Sequence, residues 1–243
     1  MAIAYVNHTV YADPANGSSY SFSHSTSGVD RLLILAVNVL RNSESNEPAI
    51  TATYNGVSMT TAVSRSQTTS SRYHLSALLY LINPPTGSNT VAITTVSTVV
   101  AIVADAMTFT GVHQTTPLGT TGSGVANTAS ASVSFNLTTT VINSYLVGSG
   151  MARSGVANLS LDGDYTQVFE SASGSDTSLD LTGIGGYRAT TSTGSYAFAV
   201  NVVSGTQFLT AAAMEIRPAP SGTTVANIRK IRTANRIGVH TGF

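Results

Sequence analysis

Residues 87–109, GSNTVAITTVSTVVAIVADAMTF, align without a gap on residues 194–216, GSYAFAVNVVSGTQFLTAAAMEI, at an offset of 107. Eight of the 23 positions are identical, among them Gly87/Gly194, Val96/Val203, Ala104/Ala211 and Met107/Met214. Pairs such as Val91/Phe198 and Phe109/Ile216 keep apolar character. Repetition at a fixed spacing dictates architecture before any motif does. In the first copy Val99, Ala101, Val103, Met107 and Phe109 fall on one side of a strand's alternation, and Val100, Ile102, Ala104 and Ala106 on the other. A half-exposed strand would be polar at every second position. The stretch therefore predicts a core strand covered on both faces.

A fainter echo lies upstream. Ser19-Tyr20-Ser21-Phe22 precedes Asp30-Arg31-Leu32-Leu33-Ile34 as Ser132-Val133-Ser134-Phe135 precedes Asn143-Ser144-Tyr145-Leu146-Val147, at an offset of 113. Nearly every other segment is short, rich in Val, Ile, Thr, Tyr and Phe, and bounded by Gly, Asn, Asp or Pro, which predicts strands. Asn55-Gly56 predicts a type I′ hairpin, because both residues tolerate positive φ. The fold class expected is all-β: a jelly-roll-like antiparallel β-sandwich with internal duplication and an extended C-terminal arm. Its halves run over about 19–110 and 132–217 inside a body of 1–219, and the arm covers 220–243. Two arrangements satisfy the repeat, two small sandwiches in tandem or one larger one. The single sandwich is preferred because each copy offers few large side chains for a core of its own. Gly111–Asn127 is read as the link between copies.

Composition narrows the function. No cysteine is present, so disulfides, thiolate metal sites and cysteine nucleophiles are excluded. Charged residues make up 9% of the chain, against about 25% in ordinary soluble proteins. A formal charge of zero with so few ions protects a free monomer poorly and hints at work inside an assembly. The first residues lack a basic and then apolar leader pattern, and no apolar run reaches about 18 residues, so neither a cleaved signal nor a membrane helix is expected.

After Ile216 the character changes. Arg217-Pro218-Ala219-Pro220-Ser221-Gly222 reads as a stop signal. Residues 223–243 carry Arg229, Lys230, Arg232 and Arg236 with no acid, so this segment is +4 and the rest is −4 (7 basic against 11 acidic residues). Ile228, Ile231 and Phe243 place apolar groups among those charges, more than a solvated tail carries. The segment is read as an assembly arm that reaches a neighbouring subunit.

Catalytic chemistry is sparse. His8, His24, His74, His113 and His240 show no metal-binding spacing and are read as ordinary surface residues. Asp162-Gly163-Asp164 clusters two hard ligands, too few for calcium, and is read as a turn. Asp105 stands in an apolar strand where the repeat has Ala212, and suggests a bond to a loop or a subunit boundary. The ten tyrosines can stack sugars in principle, but most sit in strands, where packing is the default. Four cations without a nucleic-acid-binding motif do not predict nucleic-acid binding.

Five phrases occur together: Asp30–Val37 (DRLLILAV), Tyr54–Thr60 (YNGVSMT), the stretch NPPTGSNTV at 83–91, FTGVHQTTPL at 109–118 and MEIRP at 214–218. Over about residues 19–219 they resemble a group of β-sandwich proteins of tailed-phage structural gene sets and environmental bacterial surface proteins. Where aspartate is common in the phrase at 111–118, this chain has His113, and the basic arm lies outside the pattern. The resemblance implies a structural or adhesive module without catalytic residues, metal or cofactor. The expectation is a non-enzymatic virion structural protein, head-associated or of the tail, assembled in the host cytoplasm in multiple copies. Its partners would be copies of itself and other virion structural proteins, engaged through Ile228, Arg229, Lys230, Ile231, Arg232, Arg236 and Phe243. The alternative is a carbohydrate- or receptor-binding module of a fibre or cell surface.

Overall fold

In a computed structural model, residues 1–14, 16–42, 49–69, 72–176 and 178–220 are described, and all regular structure among them is antiparallel β. The first half supplies β1 (Ala4–Asp13), β2 (Gly17–Thr26), β3 (Leu32–Arg41), β4 (Ile50–Tyr54), β5 (Val57–Ser58), β6 (Thr60–Thr69), β7 (Arg72–Ile82), β8 (Gly87–Val99) and β9 (Ala101–Thr110). The second supplies β10 (Leu118–Val125), β11 (Ser132–Thr138), β12 (Tyr145–Ala152), β13 (Leu159–Leu161), β14 (Thr166–Ala172), β15 (Thr182–Ala189), β16 (Ser195–Val202) and β17 (Leu209–Ile216).

Pairing within each half runs from the outside inwards. β1 pairs β9, β2 pairs β8 and β3 pairs β7; likewise β10 pairs β17, β11 pairs β16 and β12 pairs β15. A long antiparallel hairpin rolled into two sheets produces this order, which is the jelly-roll principle. The sheets are β1-β9-β3-β7-β6 with β2-β8-β4-β5, and β10-β17-β12-β15-β14 with β11-β16-β13. Registers correspond as well. Ile34 faces Met107 and Val147 faces Met214, which are shifts of 113 (34 to 147) and 107 (107 to 214). Tyr20 opposite Ile93 becomes Val133 opposite Val200 at the same two shifts. Bulges recur too: register slips after Tyr5 and after Leu118, and again after Thr61 and after Gln167.

The four sheets stack in layers around three cores. Leu33, Leu35, Tyr54 and Ile93 fill the space inside the first half. Leu146, Ile184, Phe198 and Val200 fill the second. A third core joins the five-stranded sheets face to face, with Ile34, Val103, Met107 and Phe109 against Val147, Met151, Ala212 and Met214. The reason for preferring one larger sandwich, too few large side chains in each copy, does not hold. Each half holds its own core, and the extra burial comes from the shared layer between them. This stacking explains why β9 and β17 are buried at nearly every residue: a strand covered by sheets on both sides cannot alternate.

Polar contacts lock the central layer. Asn38 Nδ2 donates to Ser149 Oγ at 2.9 Å, and Ser76 Oγ donates to Asn38 Oδ1 at 2.7 Å and bonds Thr210 Oγ1 at 2.8 Å. Tyr5, Phe109, Tyr145 and Tyr187 close one end of it, with Tyr5 stacked on Tyr187 and Tyr187 on Tyr145 at centroid separations of 5.1 and 5.5 Å.

One expectation about elements needs correction. β10 occupies what reads in sequence as the link 111–127. Its glycines are packing residues: a Cβ at Gly122 or Gly124 would lie 2.9 Å from the Phe135 ring. The halves accordingly begin at β1 and β10, upstream of 19 and 132. In β15, Thr182–Ala189, Gly183, Gly185 and Gly186 resemble a turn in sequence but permit close approach in the sheet. The hairpin at Asn55-Gly56 forms as expected, with φ of 51° and 76°.

Candidate functional site

Both described ends of the chain meet at one end of the stack. The Met1 ammonium donates to the Ala219 carbonyl at 3.0 Å, and Val112 bridges Pro218. Beside them a groove of about 610 Å³ opens between the N-terminal residues, the β11–β12 loop and the β15–β16 loop, with Pro218–Pro220 at its lip. Tyr145 contributes to its lining, and Met1 and Ile142 stand more than half exposed at its rim (58% and 59%). Apolar groups held open to water in a concavity are the usual mark of a docking surface.

Glu215 anchors the β11–β12 loop, whose Val141, Ile142 and Asn143 line that groove. It sits in β17 with no solvent exposure, yet its carboxylate is fully engaged. Thr140 N donates to Oε1 at 2.9 Å, Thr140 Oγ1 to Oε2 at 2.9 Å, Thr120 N to Oε2 at 3.1 Å and Val141 N to Oε1 at 3.3 Å. Charge-assisted bonds of this kind are among the stronger ones. They tie the β11–β12 loop and the bulge of β10 to the last strand. Asn143, at the end of that loop, holds φ 57°, as Asp30 does at the corresponding place in the first half (φ 51°).

A second polar cluster lies on β1 and β9. His8 Nδ1 is 3.0 Å from Asp105 Oδ1, and Asp105 is wholly buried with Oδ2 unpartnered. Burial pushes the Asp105 carboxyl up to about 6, while its hydrogen bond holds the His8 imidazole above its usual value. The pair therefore retains a proton well above the ordinary carboxylate range. Among the described residues the His8 ring bonds Asp105 and no hydroxyl. On the opposite face His24 joins Thr9 Oγ1 (2.9 Å) to Thr108 Oγ1 (2.8 Å), and burial pushes its imidazole down to about 4.

The expectation that the histidines are surface residues is corrected for His24 and His74, both about 1% exposed. Period-2 reading could have flagged them, since each falls on an inward position of a strand. His113 caps a turn, its Nδ1 accepting from Thr115 N and Thr116 N at 3.2 and 3.1 Å. Asp162 Oδ1 accepts from Gly163 N at 2.8 Å and Asp164 pairs Arg188 at 2.8 Å, so Asp162-Gly163-Asp164 is a turn. Among the described residues no three His, Asp or Glu side chains converge as a metal site requires. Tyr20, Tyr54, Tyr73 and Tyr165 are core residues, and Tyr5, Tyr145 and Tyr187 stack on one another.

The arm residues singled out from sequence, Ile228, Arg229, Lys230, Ile231, Arg232, Arg236 and Phe243, lie outside the described residues, as does His240. Their attachment point does not: the described chain ends at Pro220, on the lip of the groove. Sequence reasoning missed Glu215, although it stands inside the MEIRP phrase; a carboxylate in an otherwise apolar strand was the available signal. Compared with known proteins, the chain matches no family model, no curated protein and no solved structure.

Proposed function

We propose that this chain is a non-enzymatic structural protein of a bacteriophage virion, a head-associated or tail component that assembles in multiple copies. One observation carries the reading: a basic segment with interspersed isoleucines departs at Pro220 from a body of net charge −4, at the edge of an apolar groove. The arm of one copy engages its neighbour, Arg229, Lys230, Arg232 and Arg236 meeting acidic surface while Ile228 and Ile231 seat in the groove. The stacked jelly rolls supply a rigid body for such an arm, since three cores and a polar lock hold the halves in one orientation. The same resemblance that motivates a structural role supplies no catalytic residues.

The experiment is deletion of 221–243. Truncated protein should keep the wild-type melting transition and strand content, yet fail to multimerise by sedimentation or to enter particles. Ile142→Asp at the groove rim should reproduce the assembly defect in the full chain. Assembly by the truncated chain at wild-type levels would refute the reading.

A further inference from the structure

Ten buried side-chain polar atoms of the described residues lack a hydrogen-bond partner, and six of them belong to one region. They are Gln67 Oε1, Thr69 Oγ1, Arg72 Nη1, both ring nitrogens of His74, and Arg153 Nη1. Folded proteins leave such atoms rarely, so a concentration of them needs a physical cause.

The register shows why they gather. Gln67 is opposite His74 and Thr69 is opposite Arg72 in the β6–β7 pair, so all four share a face. It is the face turned to the second half, because Ser76, two residues beyond His74, bonds Thr210. Arg153, which follows β12, completes the group from the other side. Its guanidinium carbon lies 5.5 Å from the Phe208 ring centroid, and the His74 imidazole stacks on the same ring at 6.0 Å and 25°. The corresponding positions in the repeat are Leu179, Leu181 and Leu40 for Arg72, His74 and Arg153 (72 + 107, 74 + 107, 153 − 113). The cluster is thus no product of the shared frame and exists only where the halves meet.

Cations dominate its electrostatics, and the exposed Asp176 carboxylate, which feels the charge of Arg72, lies at its edge. Neither described salt bridge involves Arg72 or Arg153. Burial pushes the His74 imidazole down to about 4, and the two guanidiniums, Arg153 before Arg72, push the same way. Two guanidiniums, a hydroxyl and an imidazole offer donors in excess. The Gln67 amide nitrogen is already engaged with the Ala126 carbonyl at 2.7 Å, which leaves its oxygen as an acceptor facing the group.

We infer that Arg72, Arg153 and His74 form a binding site for a phosphate or phosphoryl group. The planar guanidinium fork matches tetrahedral oxyanions, and Thr69 adds a hydroxyl donor. Gln67 Oε1 selects a protonated phosphate, whose O–H it accepts, over sulfate, which has none. Arg72 and Arg153 are only half-buried, so the anion enters from solvent and the guanidiniums turn onto it. Binding ties the halves together at the end remote from the Tyr5, Tyr145 and Tyr187 stack.

The test is titration of the full chain with inorganic phosphate near pH 7, by calorimetry and by thermal melting, against sodium chloride at equal ionic strength. Saturable binding with a rise in melting temperature is expected for phosphate, none for chloride, and an affinity for sulfate several-fold weaker. Arg153→Gln should weaken phosphate binding at least about tenfold. Arg72→Lys keeps the charge, loses the fork and should weaken it several-fold, which preserves the test should Arg153→Gln not fold. Stabilisation no greater than that of chloride overturns the site, and so does saturable binding that survives both substitutions.

Discussion

The two halves share strand order, register and bulge positions, yet almost none of their buried polar groups. Thr108 corresponds to Glu215, Asp105 to Ala212, His24 to Leu137 and Asn38 to Met151. Their cores also divide space differently. Leu35 and Val91 in the first half correspond to Gly148 and Phe198 in the second, so bulk sits on the inner sheet in one and on the outer sheet in the other. A β frame thus tolerates different fillings while the pairing pattern persists, because the backbone ladder sets register and only total core volume must be conserved. Individual properties enter through the buried polar residues.

The largest effect should come from exchanging core bulk. A Cβ at Gly148 would lie 2.3 Å from Phe198 Cε2, so Gly148→Leu should cost about 3 kcal/mol or more in denaturant unfolding. The double variant Gly148→Leu/Phe198→Val transplants the first half's pair and should recover most of that loss. A double variant as unstable as the single one would break the equivalence of the halves.

Polar anchoring should differ next. Glu215→Ala orphans several backbone donors and should cost about 2–4 kcal/mol, measured the same way. Thr108→Ala removes one bond, to His24, and should cost about 1 kcal/mol. Equal losses at the two sites would show that the loop pinned by Glu215 does not depend on it.

The third contrast is in pH. Asp105 has its carboxyl raised from 3.8 to about 6, and His8 is raised above 6.5, so in both cases the folded state holds the proton more tightly than the unfolded chain. The Asp105 contribution is complete below about pH 4 and is lost as pH rises through 6, on the order of 3 kcal/mol, and that of His8 is lost as pH rises through its own raised value. Asp105→Asn should flatten that decline, as should Asp105→Ala, which copies the second half. Urea unfolding between pH 4 and 8 reads the slope. A variant that keeps the wild-type slope would place the titration elsewhere.

Much of the frame was legible in the residues. The two offsets, 107 and 113, recur as the offsets of the observed registers, since a strand pair cannot slip by one without turning its apolar face outward. The apolar doubling of residues 99–109 announced a layer on each side. β10 and β15 were not legible, because glycine reads locally as a turn although here it makes room for Phe135 and Phe169. Nor was the core count. Small residues such as Ala211 and Ala213 looked insufficient for a second core because the bulk they pack against, Phe198 and Val200, comes from another sheet. At the candidate site, the change to basic composition after Ile216 stands in the sequence, while the groove and the Glu215 anchor were not readable there.

Period-2 alternation, turn residues and the spacing of similar segments are properties of the linear chain, and they sufficed to specify an all-β body of antiparallel sheets. The face-to-face stacking of the inner sheets, the apolar groove at the meeting of the ends and the gathering of Arg72, His74 and Arg153 join residues far apart in sequence. Such contacts arise from the shapes of assembled surfaces and from the demand that buried charge find partners, and linear pattern carries neither.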